Sequence, residues 1–292
     1  MTADSTVARR LLGIQLEALR EKSGITMADA AASISIGKST LWKIETGQPV
    51  RLNPVLLNHL CQLYGATPKS TKALLGLVDE TKTRGWWHAF TDQIPKDFGL
   101  FVSLEDAATH MTSYQTTFLP GLLHTRDYRR ALSWTEFPHK PSDETERLLD
   151  VGMKRQARLT SVRNPITLNV LIDESILRRM TGSTEVMAAQ LRHLIDCGQL
   201  PNVSIRVVPS KVGTYRGMIV GSFVLLEFPP HPKADLTMSP VVYIQGFTGD
   251  LYLEKPVEVD HYRGACADIE RLALNENASR ALLLGIVKEY AR

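Results

Sequence analysis

Long apolar runs are absent from this sequence of 292 residues. No stretch approaches the roughly 20 apolar residues that a membrane-spanning helix needs. The first ten residues also lack the basic start and apolar core of a secretory signal peptide. We therefore expect a cytoplasmic protein that does not bind membranes.

Cysteine is scarce, and the residues that bind metals and cofactors do not cluster along the chain. The three cysteines are Cys61, Cys197 and Cys266. Their odd number and wide spacing favour reduced, buried thiols over a disulfide framework. The eight histidines show no metal-ligand spacing, and His59-x-Cys61 alone is too little for a zinc site. No glycine-rich phosphate loop is found, so we expect no cofactor and no metal.

Positive charge is concentrated in the first part of the chain. The formal net charge is +3, from 34 Lys and Arg against 31 Asp and Glu. Residues 1–84 hold 11 of the basic and 7 of the acidic residues, so the remainder has a slight negative balance. This distribution favours a small domain that meets phosphate, joined to a larger domain that does not.

The pattern of apolar residues and helix breakers predicts five short helices in the first domain. They are expected at 9–23, from Thr26, at 38–46, after Pro54, and from Lys69 to about Thr83. The polar stretch 79–85 is predicted to be a linker, or an extension of the fifth helix. Trp86 and Trp87 are interpreted as the start of a second core. We therefore predict a DNA-binding domain at 1–84 and a regulatory, dimerisation or partner-binding domain at 85–292.

The larger domain mixes helical and strand patterns, which predicts an α+β fold with a mostly antiparallel sheet of about four or five strands. Strands are expected at 166–172, 203–208, 219–228, 240–247 and 251–253. Residues 104–115 are predicted to form a helix, as are several later segments. Gly249-Asp250 has the composition of a hairpin turn.

Residues 24–47 combine the features that a helix-turn-helix requires. The first helix of the pair needs a small residue where the second crosses it, and Ala31 supplies one. The apolar residues expected to face inward are Ile34, Ile36, Leu41 and Ile44. Leu41 and Ile44 are three residues apart and therefore share one helix face. The residues left on the outward face are Lys38, Ser39, Thr40 and Lys43.

This segment, with its ending Ser39-Thr40-Leu41-x-x-Ile44-Glu45-x-Gly47, resembles the Cro/C1-type (Xre) helix-turn-helix family without a gap. The resemblance implies a lambda-repressor-like all-α domain that binds double-stranded DNA. It also implies base-edge contacts from Lys38, Ser39 and Lys43, and a phosphate contact from Thr40. Lysine suits guanine, and serine can pair with either base type.

Further phosphate contacts are predicted from Arg9, Arg10 and Arg51, and from the start of the second helix at Thr26. The chain departs from the family at three positions. They are Met27 in place of Gln, Ser35 in place of Gly, and Gly37 in place of Ser or Thr. Outside glycine, the left-handed backbone expected at Ser35 costs about 1–2 kcal/mol.

A second resemblance covers roughly residues 86–290. The phrases that carry it include Leu104-Glu105-x-x-Ala108, Pro120-Gly121-Leu122-Leu123-x-Thr125, Arg155-Gln156, Ile172-Asp173-Glu174 and Pro201-Asn202-Val203. They are similar to the antitoxin-like regulators of filamentous bacteria, which couple this helix-turn-helix to a domain of uncharacterised function. The resemblance implies a small partner protein encoded by a neighbouring gene.

Three functions follow as hypotheses. The first is a sequence-specific transcriptional regulator, acting as a homodimer, whose larger domain senses an unknown ligand or binds the small partner. The second is an antitoxin-like interaction protein that masks this partner and autoregulates its own operon. The third is an enzyme fused to a DNA-binding module, for which Asp173-Glu174 offers a candidate catalytic carboxylate pair. That pair suits a helix cap equally well, so we expect no enzymatic activity.

Overall fold

The computed structural model describes residues 5–81, 96–139, 141–162, 164–230 and 237–291. The chain divides into two compact units. One comprises Met1–Ala89 with Pro229–Met238, and the other Phe90–Phe228 with Ser239–Arg292. The predicted boundary at residues 84 and 85 lies outside the described residues, as do Trp86, Trp87 and most of the predicted linker.

The described part of the first unit folds into five helices, as the sequence predicts. They are α1 (Ser5–Ser23), α2 (Met27–Ser33), α3 (Lys38–Glu45), α4 (Pro54–Leu63) and α5 (Pro68–Glu80). Side-chain caps set several of the starts: the Thr26 hydroxyl accepts from the amide of Asp29, and Asn53 and Thr67 cap α4 and α5 in the same way. Each satisfies a backbone donor that the helix itself leaves unpaired.

The core of this unit forms where the apolar faces of the helices meet. Leu12 and Leu16 of α1 are fully buried together with Leu41 of α3 and Leu57 and Leu60 of α4. Burial of such side chains contributes about 1.5–3 kcal/mol each. The amphipathic patterns of α1, α3 and α4 are therefore the features that fix their mutual packing.

The second unit combines helices with a sheet. Its helices are α6 (Lys96–Ala107), α7 (Arg126–Glu136), α8 (Ser142–Gln156), α9 (Glu174–Leu177), α10 (Thr184–Cys197), α11 (Arg216–Val220), α12 (Pro256–Leu272) and α13 (Glu276–Tyr290). Its strands are β1 (His110–Gln115), β2 (Thr167–Asp173), β3 (Val203–Val208), β4 (Phe223–Glu227), β5 (Val241–Ile244) and β6 (Leu251–Leu253). None of the helices in the described ranges is long and apolar enough to cross a membrane.

The sheet has six strands in the order β3-β2-β1-β4-β5-β6. The pairs β1–β2 and β2–β3 are parallel, and the other three pairs are antiparallel. Helix α12 packs on one face through Val259 and Ile269, while the ring of Tyr243 on β5 lies 4.2 Å from that of Phe101 on α6. The predicted α+β class with a mostly antiparallel sheet is confirmed, with six strands rather than four or five.

The predicted helix at 104–115 is wrong in its second half. Helix α6 ends at Ala107, and residues His110–Gln115 form β1. This strand is central, since β2 pairs along one side and β4 along the other. Its partners lie more than 50 residues away in the chain, so the local pattern did not contain the information that decides between helix and strand.

Two further expectations need correction. The strand expected at 219–228 begins later, because residues up to Val220 belong to α11 and Gly221 follows with a φ of +69°. The connection from β5 to β6 spans residues 245–250 and is not a two-residue hairpin. There the Asp250 carboxylate accepts hydrogen bonds from the Tyr243 hydroxyl (3.0 Å) and the Gly246 amide (3.4 Å).

Candidate nucleic-acid interface

A hydrogen-bonded turn joins α2 to α3. The Ile36 amide donates to Ala31 O (3.0 Å) and the Ser35 amide to Ala32 O (3.1 Å). This pair of bonds is the Schellman arrangement, which requires a left-handed residue at the position of Ser35. Ser35 has a φ of +57°, so the left-handed conformation predicted at this non-glycine residue is confirmed.

Helix α3 begins without a side-chain cap. Gly37 occupies the cap position in extended backbone conformation (φ −69°, ψ 143°). Its carbonyl accepts from the amides of Thr40 (2.9 Å) and Leu41 (3.1 Å). The first amides of α3 therefore lie at an exposed helix end that makes no side-chain cap hydrogen bond, a position that favours negative charge.

The two faces of α3 differ as predicted. Leu41 and Ile44 are buried in the core of the helical unit. The three predicted base-contact residues Lys38, Ser39 and Lys43 are all exposed, and Thr40 is half-buried. Their positions on the outward face agree with the prediction, and their contacts with DNA stay predictions.

A buried ion pair fixes α3 against α1 and α4. The Arg20 Nε donates to both carboxylate oxygens of Glu45, at 2.9 and 3.0 Å. The Tyr64 hydroxyl donates to Glu45 Oε1 at 3.2 Å. The hydrogen bond to Glu45 raises the pKa of Arg20 above its usual value, while burial and the nearby Glu45 charge raise the pKa of Tyr64. This carboxylate holds the last turn of α3 to two other helices.

In the sequence, Glu45 stands out only as part of the family motif, and no local pattern indicates its partner Arg20. Two glycines nearby explain how the helices approach so closely. A Cβ at Gly13 of α1 would collide with the carbonyl of Glu45, and a Cβ at Gly47 would lie 2.7 Å from Arg10 Cα. Gly47 also has a φ of +69°. It therefore ends α3, and its lack of a Cβ allows α1 to approach closely.

The predicted phosphate contacts differ in their availability. Arg51 and Thr26 are exposed, although the Thr26 hydroxyl already donates to the Asp29 carboxylate (2.6 Å). Arg9 is half-buried and donates from Nη1 to Val50 O (2.6 Å), and burial lowers its pKa. Arg10 is half-buried beside Gly47. Arg9 thus holds the segment after α3 in place. All five phosphate contacts, including that of Thr40, remain predictions.

The carboxylate pair of the second unit has structural partners. Asp173 caps α9 by accepting from the Ser175 amide (2.9 Å), and it accepts from the Tyr215 hydroxyl (2.6 Å). Burial alone would raise the pKa of Asp173, but these hydrogen bonds outweigh it and hold the pKa below its usual value. Glu174 accepts from the Ser210 amide (2.9 Å). Both residues therefore tie the ends of β2 and β3 to their neighbours.

The cysteines of the described ranges lie in the interior of the protein. The three cysteines are buried free thiols, as predicted. Among the residues that the structure describes, no group of three or more His, Cys, Asp and Glu is placed to hold a metal ion.

Two family models match the chain. One, described as a domain of unknown function (DUF5753), matches residues 98–285, which is more than half of the chain. The chain belongs to the DUF5753 family. The other, described as a helix-turn-helix domain, matches residues 11–74, so this DUF5753 member is a DNA-binding regulator. No curated protein and no solved structure gave a match.

Several side chains of the DUF5753 domain hold its elements together. Arg155 of α8 and Glu105 of α6 form a buried bidentate ion pair, with N–O distances of 2.7 and 2.6 Å. Gln190 of α10 donates to Leu123 O and accepts from the Thr125 amide. The phrases that carried the second resemblance therefore include residues whose side chains pair across distant parts of the fold.

Proposed function

We propose that this DUF5753 member is a sequence-specific transcriptional regulator of the Cro/C1 (Xre) type that reads operator DNA with α3. The observation that carries the proposal is the division of α3 into two faces. Leu41 and Ile44 are buried, while Lys38, Ser39 and Lys43 are exposed together. An α-helix with its side chains is about 10–12 Å in diameter, which suits the major groove, about 12 Å wide.

Charge supports the same proposal. Lys38 and Lys43 lie on the outward face, and the acidic residue of α3, Glu45, is buried and paired with Arg20. The outward face of α3 thus presents cations to a polyanion. In this arrangement lysine contacts to guanine and serine contacts to either base type would specify sequence, while Arg51 and Thr40 would fix the position of the protein on the phosphates.

We also propose that the protein acts as a homodimer in the cytoplasm. One recognition helix with three base-contact residues gives limited specificity, whereas two copies on half-sites one helical turn apart combine their contacts. The DUF5753 domain would then provide dimerisation and receive a signal, from a ligand or from a small partner protein. We propose no catalytic role for it, since its Asp173 and Glu174 serve as structural acceptors.

Selection of duplexes from a random library by the full-length chain tests this function. We expect a preferred sequence with two related half-sites, bound by a species of twice the chain mass in analytical ultracentrifugation. Replacing both Lys38 and Lys43 by Ala should abolish preference for that sequence while the protein stays folded and dimeric. Unchanged footprints from the double variant would contradict the site, and a monomer on a single half-site would contradict the dimer.

A further inference from the structure

Trp42 is a large apolar residue exposed on α3. Its neighbours Leu41 and Ile44 are 0% and 4% exposed, whereas Trp42 is 48% exposed. Within the described part of the helical unit, it is not one of the hydrophobic side chains that pack against the core. The fold of this unit therefore does not account for a tryptophan at this position, which is not among the predicted DNA contacts.

The position of Trp42 on the helix places it among the predicted base contacts. It follows Lys38 by four residues and Ser39 by three, so all three lie on one face. Helical side chains tilt toward the N-terminus and cover the preceding turn. The indole therefore extends toward Lys38 and Ser39, which is the end of α3 that enters the groove in a helix-turn-helix.

The chemistry of this face indicates what the indole contacts. Lys38 and Lys43 on either side are exposed cations, which complement DNA phosphate. Within the major groove, the 5-methyl of thymine is the apolar group that distinguishes one base pair from the others. A flat apolar ring between two lysines is suited to pack on such a methyl group.

We propose that Trp42 is a specificity-determining residue that reads a thymine 5-methyl group in the major groove, beside the bases read by Lys38, Ser39 and Lys43. The inference rests on the proposed function, because it requires that α3 enters the groove. It adds to that function a preference for thymine at one position of each half-site.

The test uses the duplex selected by the full-length wild-type chain, with each thymine replaced in turn by deoxyuridine, which removes only the methyl group. For one position in each half-site, we expect wild-type binding to weaken about fourfold, the contribution of one buried methyl group. Trp42→Ala should bind the thymine duplex at least about tenfold more weakly and should not discriminate thymine from uracil. Far-UV circular dichroism and the unfolding midpoint should stay unchanged, since Trp42 lies outside the core.

Val55→Ala is the matched control, because Val55 is 64% exposed on α4 and lies outside α3. It should keep both the affinity and the uracil sensitivity of the wild type. The inference is overturned if Trp42→Ala still discriminates uracil from thymine, or if it weakens binding to selected and unrelated duplexes equally. If the wild type selects no preferred sequence, both the proposed function and the Trp42 assignment fail. If it selects one but Trp42→Ala behaves as just described, the Trp42 assignment alone fails.

Discussion

The ion pair between Arg20 and Glu45 should decide whether α3 stays packed on α1. The side chain of Glu45 is 1% exposed and that of Arg20 12%. Replacing Arg20 by Met therefore leaves a buried carboxylate with the Tyr64 hydroxyl as its remaining hydrogen-bond donor among those described above. Removing one partner of a buried pair costs about 3–5 kcal/mol, a large share of the roughly 5–15 kcal/mol that stabilises a domain.

Urea unfolding of the full-length chain measures the loss of unfolding free energy. Hydrogen exchange of peptides from α1 and α3 shows whether this loss lies in the helical unit. Arg147→Met is the matched control, since it breaks a pair with Asp143 whose side chains are 55% and 66% exposed. Exposed pairs contribute about 0–1 kcal/mol, so the control should change little. Arg20→Met with Glu45→Met should recover part of the loss, because no charge stays buried.

Two results would refute this reasoning. One is a cost below about 1 kcal/mol for Arg20→Met, which would mean that water or another cation reaches the Glu45 carboxylate. The other is a double variant no more stable than the single one. In that case the loss would come from packing of the Arg20 side chain rather than from the uncompensated charge.

Three further predictions concern a turn, a phosphate contact and a buried histidine. Ser35→Gly should raise the free energy of unfolding by about 0.5–1 kcal/mol, since glycine relieves the positive φ but adds chain entropy to the unfolded state; a loss in urea unfolding would contradict this. Arg51→Ala should reduce the salt dependence of DNA affinity by about 0.9 in the log–log slope without changing sequence preference, whereas Arg9→Ala should also lower stability, because Arg9 holds Val50 O. Burial lowers the pKa of His124 from the ordinary 6.5 to about 3. As the pH falls below 6.5, the unfolded chain therefore binds a proton that the folded chain does not, and the free energy of unfolding decreases until the pH reaches about 3. At pH 5 the loss is about 2 kcal/mol, and His124→Gln should remove it from the pH profile of the unfolding midpoint.

Local chemistry was enough to predict the helical unit. Caps, glycines and a period of 3.6 residues are signals that lie within a few positions of one another. They predicted the start of α2 and both ends of α3 to within one residue. Thr26 and Gly47 act as the sequence indicates. The inward face of α3 was predictable for the same reason, since Leu41 and Ile44 reveal it by their spacing alone.

Long-range partners were not predictable from the sequence. Arg20 lies 25 residues from Glu45, and Arg155 lies 50 from Glu105. Nothing in the local sequence of either carboxylate specifies which arginine reaches it. Strand β1 was missed for the same reason, because its hydrogen bonds to β2 and β4 are made by distant segments. The pairing of the sheet is information that the tertiary fold adds.

The residues of α3 that stabilise the helix-turn-helix and those proposed to contact DNA lie on opposite sides of the helix. Its inward side is constrained by the buried Glu45 and by Gly13, where even one added carbon would collide with the backbone of α3. Its outward side, including Lys38 and Trp42, is exposed, and surface changes usually alter stability by less than about 0.5 kcal/mol. Substitutions on the outward side should therefore change operator affinity at constant unfolding free energy, whereas those on the inward side should lower both together. A variant of Lys38 that lost affinity only in proportion to its stability would place the DNA contact elsewhere on the unit.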